Sequence, residues 1–439
     1  MQKVCSMSGS TATPVAADGS RLDVMNFLNE IASHYPAAVS FASGRPAEQF
    51  FRLDDWLRCV PAYVRHEAQQ RQCGVAEAFN TLAQYGRTNG IINGLIARQI
   101  ALDEGIECPA GQILVTGGCQ EALDLLLTGL CQHEDDVVLV RSPCYIGLTG
   151  VADMNRIELA PFSCADTAVA ATLQQTVAAV EARGKRPRLL YLVPDFDNPT
   201  GAVLTRAVRE EIIGFCAAKH IVIVEDNPYG MFRYEGERVP TMYALDLHGC
   251  VIYLGTYSKT ICPALRVGFA AVPARMFGDA DAGKVLIDRL SQAKSFVSVN
   301  TSQLTQAVVG GLLLSQDGSL SRLVAGPREF YRRNRDLMLT HLAATFADLS
   351  GQISWNRPEG GFFLTLTLPF PFRRREAEIC ASDYGVLVMP LSFFALGTEE
   401  DYRVRLAFSN ATPELIADGV VRLGRFVRDA LQRQTSSPT

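Results

Sequence analysis

From about residue 90 to residue 272 the chain alternates short apolar runs with helical patterns, a rhythm that few folds accommodate. Gln112-Ile113-Leu114-Val115-Thr116, Val137 to Val140, Leu189-Leu190-Tyr191-Leu192-Val193, Ile221-Val222-Ile223-Val224-Glu225 and Val251 to Leu254 are rich in leucine and β-branched residues. Gly268 to Val272 closes the series, and helices are expected from Cys119 to about Cys131 and from Thr205 to Lys219. A strand that is apolar on both sides has to be covered on both sides. The pattern therefore predicts an α/β fold with a mostly parallel central sheet between layers of helix.

Beyond residue 320 the pattern changes. A charged helix around Arg328 to Phe346 leads to short strands at Phe362 to Leu368, Val386 to Met389 and Tyr402 to Phe408, and a last helix runs from Thr412 to about Leu431. Short strands among helices predict a smaller α+β domain. Val24, Phe27, Leu28 and Ile31 repeat at helical spacing within Arg21 to His34, ahead of the extended stretch Val39 to Pro46. A chain of 439 residues exceeds one ordinary core. The expected division is a disordered tail over 1–20, an N-terminal segment over 21–60 that packs with the small domain, a large domain over 61–320, the small domain over 321–433 and a second tail over 434–439.

The apolar share of 48%, the charged share of 20% and a net charge of −5 fit a globular protein and disfavour nucleic acid or anionic membrane as partners. No apolar stretch reaches the ~18 to 20 residues of a membrane span, and the N-terminus lacks a signal-peptide apolar core. Twelve cysteines are scattered without a Cys-x-x-Cys pair, which argues for reduced thiols in the cytoplasm. The six histidines form no ligand pattern, so no metal is expected.

Polar residues gather at the ends of the strand-like runs. Gly117-Gly118-Cys119-Gln120 lies between a strand and a helix, where free N–H groups at a helix start suit a phosphate. Asn198 falls in Asp195-Phe196-Asp197-Asn198-Pro199-Thr200-Gly201, a segment of unexplained acidity, and Asp226 with Tyr229 follows the run ending at Glu225. Lys259 sits in Gly255-Thr256-Tyr257-Ser258-Lys259, seven residues before Arg266. Each has an ordinary reading: a turn for Asn198, a helix cap for Asp226, a solvated surface charge for Lys259. Together they form the set needed to hold pyridoxal 5'-phosphate (PLP) as a Schiff base. Lys259 would be the amine, Asp226 would keep the pyridine nitrogen protonated, and Gly118, Cys119, Thr256, Ser258 and Arg266 would bind phosphate. In Tyr402-Arg403-Val404-Arg405-Leu406-Ala407-Phe408, strict alternation puts both arginines on one face, and either could clamp a carboxylate.

The Ser-Lys-x6-Arg segment, the Asn-Pro-Thr-Gly turn and the Asp-x-x-Tyr step resemble those of fold-type-I, PLP-dependent aminotransferases of the class I/II group, from about Val39 to the final helix. The resemblance implies that Lys259 carries the cofactor and moves the proton, that Asp226 pairs with the pyridinium, and that Asn198 and Tyr229 hold the phenolic oxygen. It implies that Tyr145 stacks on the ring and that Gln120 joins the phosphate loop. Among the arginines it selects Arg405 for the substrate carboxylate. It further implies that Tyr85 reaches the phosphate of a neighbouring subunit, giving a homodimer with shared active sites. Phe41-Ala42-Ser43-Gly44-Arg45-Pro46 is similar to the 2-aminoadipate and kynurenine aminotransferase-like branch, with Gly44 and Arg45 near the substrate. Gln84 to Gly90 and Ser142-Pro143-Cys144-Tyr145 resemble hydroxyphenylglycine-type transaminases. The function implied is transfer of an amino group between an L-amino acid and a 2-oxo acid, in amino-acid or natural-product biosynthesis. Other PLP chemistry on the same fold, such as elimination or condensation, and a non-catalytic PLP sensor are the alternatives. A sensor that acts on DNA would need a further module before the fold, and decarboxylation fits poorly with a clamped carboxylate.

Overall fold

A computed structural model describes residues 27, 30, 31, 33–163, 169–397 and 400–436. The expected tail over 1–20 and most of the helix over Arg21 to His34 lie outside these residues. The strands in chain order are β1 (Val39–Ser40), β2 (Ile113–Thr116), β3 (Asp136–Ser142), β4 (Glu158–Ser163), β5 (Arg186–Leu192), β6 (Val222–Asp226), β7 (Val251–Thr256), β8 (Gly268–Ala271), β9 (Ser354–Trp355), β10 (Phe363–Thr367), β11 (Val386–Leu387), β12 (Met389–Pro390) and β13 (Arg403–Ala407).

Seven of them form the large sheet in the order β2-β8-β7-β6-β5-β3-β4, parallel except for β8, which is antiparallel to both its neighbours. Gly268 to Val272 thus closes the series along the chain but sits inside the sheet. Local pattern reports that a segment is a strand, whereas pairing order is set by the whole fold. β4 is absent from the sequence expectation. It is an edge strand carrying Pro161, and the edge is where a proline without a ladder donor is tolerated. Apolar clusters cover both faces of the sheet. Helix α1 (Cys119–Leu130) packs on one face through Leu123, Leu126 and Leu127, and Ile212, Ile213 and Cys216 pack on the other.

A four-stranded antiparallel sheet, β12-β13-β10-β9, forms a second core with α3 (Ser321–Thr345) and α4 (Pro413–Ser436), which follow α2 (Ala282–Val297) in the chain. The single strand expected over Val386 to Met389 divides: β11 pairs with β1, and β12 joins the second sheet. Helix α3 begins seven residues before Arg328 and contains Pro327. Gly326 offers no Cβ for the proline ring to strike, so the helix passes through it. The last helix runs to Ser436, past Leu431 and into the segment expected as a tail.

The N-terminal arm belongs to the second core. Val39 N–H donates to Gly385 O, Phe41 N–H to Leu387 O, and Phe41 is fully buried against Gly419. Phe50 packs on that core, while Phe51 and Trp56 pack with Tyr63 beneath the large sheet. Contacts with the second core thus give way to contacts beneath the large sheet near residue 50. Among the described residues no helix is long and apolar enough to cross a membrane, and the ten described cysteines are free thiols.

Candidate active site

The carboxyl ends of β5, β6 and β7 face the second core across a cavity of about 320 Å³. Of the residues singled out in the sequence, Gly44, Arg45, Cys119, Gln120, Tyr145, Asn198, Asp226, Tyr229, Thr256, Ser258, Lys259, Arg266 and Arg405 line it. Residues from seven separate stretches converge there: the parallel sheet delivers successive strand ends to one edge, and the second core adds Gly44, Arg45 and Arg405. Tyr85 is not among them. It is 79% exposed on the outer surface, and the chain does not fold it back to its own cavity.

Asp226 ends β6 and is buried. One oxygen accepts from the Tyr191 hydroxyl at 2.8 Å; the other, Oδ1, is buried without a partner. Burial pushes its pKa up to about 6, against the pull of the Tyr191 hydrogen bond and of Lys259. Tyr191 was not a sequence candidate. Its one signal is a lone hydroxyl inside the aliphatic run of β5, paired with Val224 two residues before Asp226.

Lys259 follows β7, and its Nζ donates to Gly44 O at 3.1 Å. Burial, then the positive charges of Arg405 and Arg266, lower its pKa to about 8, while Asp226 and Cys119 act in the opposite direction. The interior thus disfavours both charges, which suits groups that await a ligand of complementary charge.

A cradle closes one end of the cavity. Gly118 caps α1 with φ 88°, and any Cβ there would strike the Arg266 guanidinium. Arg266 itself adopts a left-handed backbone, φ 49°, and its Nη2 donates to Gly117 O at 3.0 Å while Nη1 reaches Ser258 Oγ at 3.3 Å. Cys119 donates its thiol to Gly255 O at 3.3 Å. Gln120 donates to Gly147 O at 2.7 Å and accepts from Tyr145 at 3.3 Å, which fixes that ring beside the cavity.

Arg405 is buried on β13 between the rings of Phe363 and Phe394, at 4.4 and 4.6 Å. Its Nη1 donates to Asn198 Oδ1 at 2.8 Å, Nη2 donates to Ala42 O, and Nε has no partner. Burial lowers its pKa to about 10, which leaves it a cation at neutral pH. Arg403 instead pairs with Glu400 at 3.0 Å, away from the cavity. Tyr402, expected on the apolar face, is exposed just before the strand. The side chain of Arg45 is exposed at the mouth, and its carbonyl accepts from Ser409 Oγ at 2.6 Å. The acidic segment also acquires a role. Asp195 accepts from buried Arg209 at 2.8 Å and from Arg233 at 3.4 Å, and Asp197 accepts from Thr200 Oγ1 at 2.6 Å to close the Asn-Pro-Thr-Gly turn.

An orphaned acidic oxygen, a depressed lysine and a glycine cradle closed by arginine fit the ring nitrogen, the aldehyde and the phosphate of PLP respectively. The family described as "Aminotransferase class I and II" matches residues 51–423. A (S)-3,5-dihydroxyphenylglycine transaminase from Amycolatopsis orientalis is 39% identical over 409 residues, covering 93% of this chain and 92% of that protein. Kynurenine aminotransferase from Pyrococcus horikoshii superposes with a TM-score of 0.79 at 25% identity, over 93% of this chain and 95% of the other. Alpha-aminoadipate aminotransferase from Thermus thermophilus, solved with N-(5'-phosphopyridoxyl)-L-leucine, gives 0.75 at 26% identity, over 95% and 96%.

The charge balance around Lys259 generates a pH prediction. In cofactor-free protein, competitive labelling of lysines across a pH series should show Lys259 gaining reactivity with a midpoint near pH 8, not near the ~10.4 of an exposed lysine. Asp226→Asn removes an attraction for the ammonium and should move that midpoint lower still. A midpoint shared with the exposed lysines would contradict the burial account.

Proposed function

We propose, since this chain belongs to the class I and II aminotransferase family and is a PLP-dependent transaminase acting on amino acids and 2-oxo acids, that its residues divide the work as their positions suggest. Asp226 Oδ1 would take the ring N–H, with Tyr191 steadying the carboxylate. Tyr145 would lie on the ring, Asn198 and Tyr229 beside the phenolic oxygen, and Gly118, Cys119, Gln120, Thr256, Ser258 and Arg266 around the phosphate. PLP bound here supplies an electron sink for the charge left when Cα loses a proton. Lys259 Nζ takes that proton and returns it at the other end of the transfer, a task suited to an amine whose pKa lies near the working pH. Arg405 presents its fork to the substrate's α-carboxylate, and the two phenyl rings exclude water from the pair. The observation that carries this reading is the buried Asp226 carboxylate, with one oxygen unpartnered, at the cavity that Lys259 also lines.

For the amino donor, the reading best supported is an arylglycine bearing ring hydroxyls, as in natural-product pathways. Ile146, Val193, Phe363 and Phe394 make apolar walls for a ring, and Arg45 stands at the mouth where a hydroxyl or distal carboxylate would emerge. The name of the Amycolatopsis relative supports the same class. A 2-aminoadipate or kynurenine donor is the second reading, supported by the solved relatives. We further propose a division into an N-terminal arm to about residue 50, a large domain to about 320 and a small domain beyond it, and a cytoplasmic enzyme whose cysteines stay reduced.

A half-reaction panel tests the donor: holoenzyme is mixed with single amino acids and the loss of PLP absorbance is timed. Dihydroxyphenylglycine and 4-hydroxyphenylglycine should react fastest, and Arg45→Ala should slow donors with distal polar groups while sparing apolar ones. Preference for 2-aminoadipate would select the second reading, and equal losses across all donors would make Arg45 a support for its loop. A second experiment tests assembly. We propose a homodimer in which exposed Tyr85 completes the partner's phosphate site. Mixing inactive Lys259→Ala with impaired Tyr85→Phe subunits should then restore activity, because one site of the hybrid carries neither lesion. No recovery on proven subunit exchange would refute shared sites.

A further inference from the structure

Behind the cradle lies a buried ion pair that the reaction does not use. Glu121, in the first turn of α1, accepts from the Gly117 N–H through Oε2. Lys294, on α2 and fully buried, donates to Glu121 Oε1 at 3.0 Å, to Oε2 at 2.9 Å and to Ser298 Oγ at 2.8 Å. Ser298 in turn donates to Glu121 Oε1. All three ammonium hydrogens and both carboxylate oxygens are thereby engaged.

Two facts show what this pair does for its neighbours. Gly117-Gly118 is a double glycine, which loses more conformational freedom on ordering than any other dipeptide. Yet Gly118 must hold φ 88° for its backbone to meet Arg266. The Glu121 carboxylate is the side-chain acceptor that fixes the Gly117 N–H at the entrance of this turn. A lone carboxylate one turn from a phosphate would repel it. Lys294 cancels that charge, so the carboxylate can brace the cradle without opposing its ligand. Beyond Ser298, Val299 adopts φ 62°, a strained backbone for a β-branched residue, and Thr301 Oγ1 donates to Val115 O at 3.2 Å.

We propose that Glu121, held by Lys294 and Ser298, is a positioning residue for the cofactor's phosphate, acting through the Gly117–Gly118 turn. This rests on the reading that the phosphate of PLP occupies the cradle. The removal of one hydrogen bond to a charged group behind it should weaken PLP about tenfold to hundredfold. Pyridoxal, which has no phosphate, should bind as before.

The test measures PLP and pyridoxal dissociation constants for apoprotein by equilibrium dialysis. Two double variants, Glu121→Gln/Lys294→Met and Glu121→Leu/Lys294→Met, remove both buried charges and differ only in the acceptor left for Gly117. The glutamine pair should keep the preference for PLP over pyridoxal near wild type, and the leucine pair should lose it by about tenfold or more. Equal preferences in the two doubles would overturn the proposal. Should the leucine pair not fold, Ser298→Ala, at an exposed position, should lower the preference about fivefold, and no change would overturn it equally. If wild-type apoprotein showed no preference for PLP, the placement of the phosphate itself would fail, a result distinct from either.

Discussion

Asp226 is buried at the end of β6 with one oxygen bonded to Tyr191 and the other bonded to nothing. An unsatisfied buried acceptor costs about 1–3 kcal/mol, and more when it is charged. The surrounding fold has to sustain that cost. It does so with strands that are buried along their length: β6 runs between β5 and β7, and every residue from Val222 to Asp226 is inaccessible. The register of β5 on β6 brings the Tyr191 hydroxyl to the same strand end. The carboxylate lines a cavity whose other charged side chains, Arg45, Lys259, Arg266 and Arg405, are all positive. A ligand that brings a cationic ring nitrogen and an anionic phosphate together would complement these charges.

The two cores meet through the N-terminal arm and Arg405. Gly44 O receives Lys259 from the large sheet, Ala42 O receives Arg405 from the small one, and Asn198 reaches Arg405 from the loop after β5. Two polar links, Lys259 to Gly44 O and Arg405 to Asn198, thus cross between the cores beside the reacting centre, while the bonds of Arg405 to Ala42 O and of Ser409 to Arg45 O hold the arm to the small core. A substrate carboxylate that engages Arg405 competes for the same guanidinium hydrogens. With Arg405 in the role proposed for it, substrate binding and the placement of the arm would be linked by shared donors.

Much of this was legible in the chain. Continuous apolar runs marked β2, β3, β5, β6 and β7, because strands buried on both faces read as short segments rich in leucine and β-branched residues, too short for helices. Residues at the ends of those runs marked Asp226, Lys259 and Asn198. What stayed hidden depends on contacts between distant segments. The place of β8 inside the sheet, the splitting of Val386 to Pro390 between two sheets, and the bond from Tyr191 to Asp226 have no local signature. The link from Lys294 to Glu121 spans 173 residues and joins two unremarkable helices. Asp195 and Asp197 looked anomalous as a sequence and are ordinary in space, where buried Arg209 and the turn at Thr200 account for them.

The central claim is that Asp226 keeps a pyridine nitrogen protonated. The direct measurement is the nitrogen-15 chemical shift of PLP labelled at the ring nitrogen and bound to the enzyme, followed across pH. The shift should stay in the pyridinium range throughout the pH range in which the wild-type protein is folded. In Asp226→Asn, which retains the cofactor, it should move to the range of neutral pyridine. A neutral-pyridine shift in the wild type, or a shift untouched by Asp226→Asn, would contradict the account.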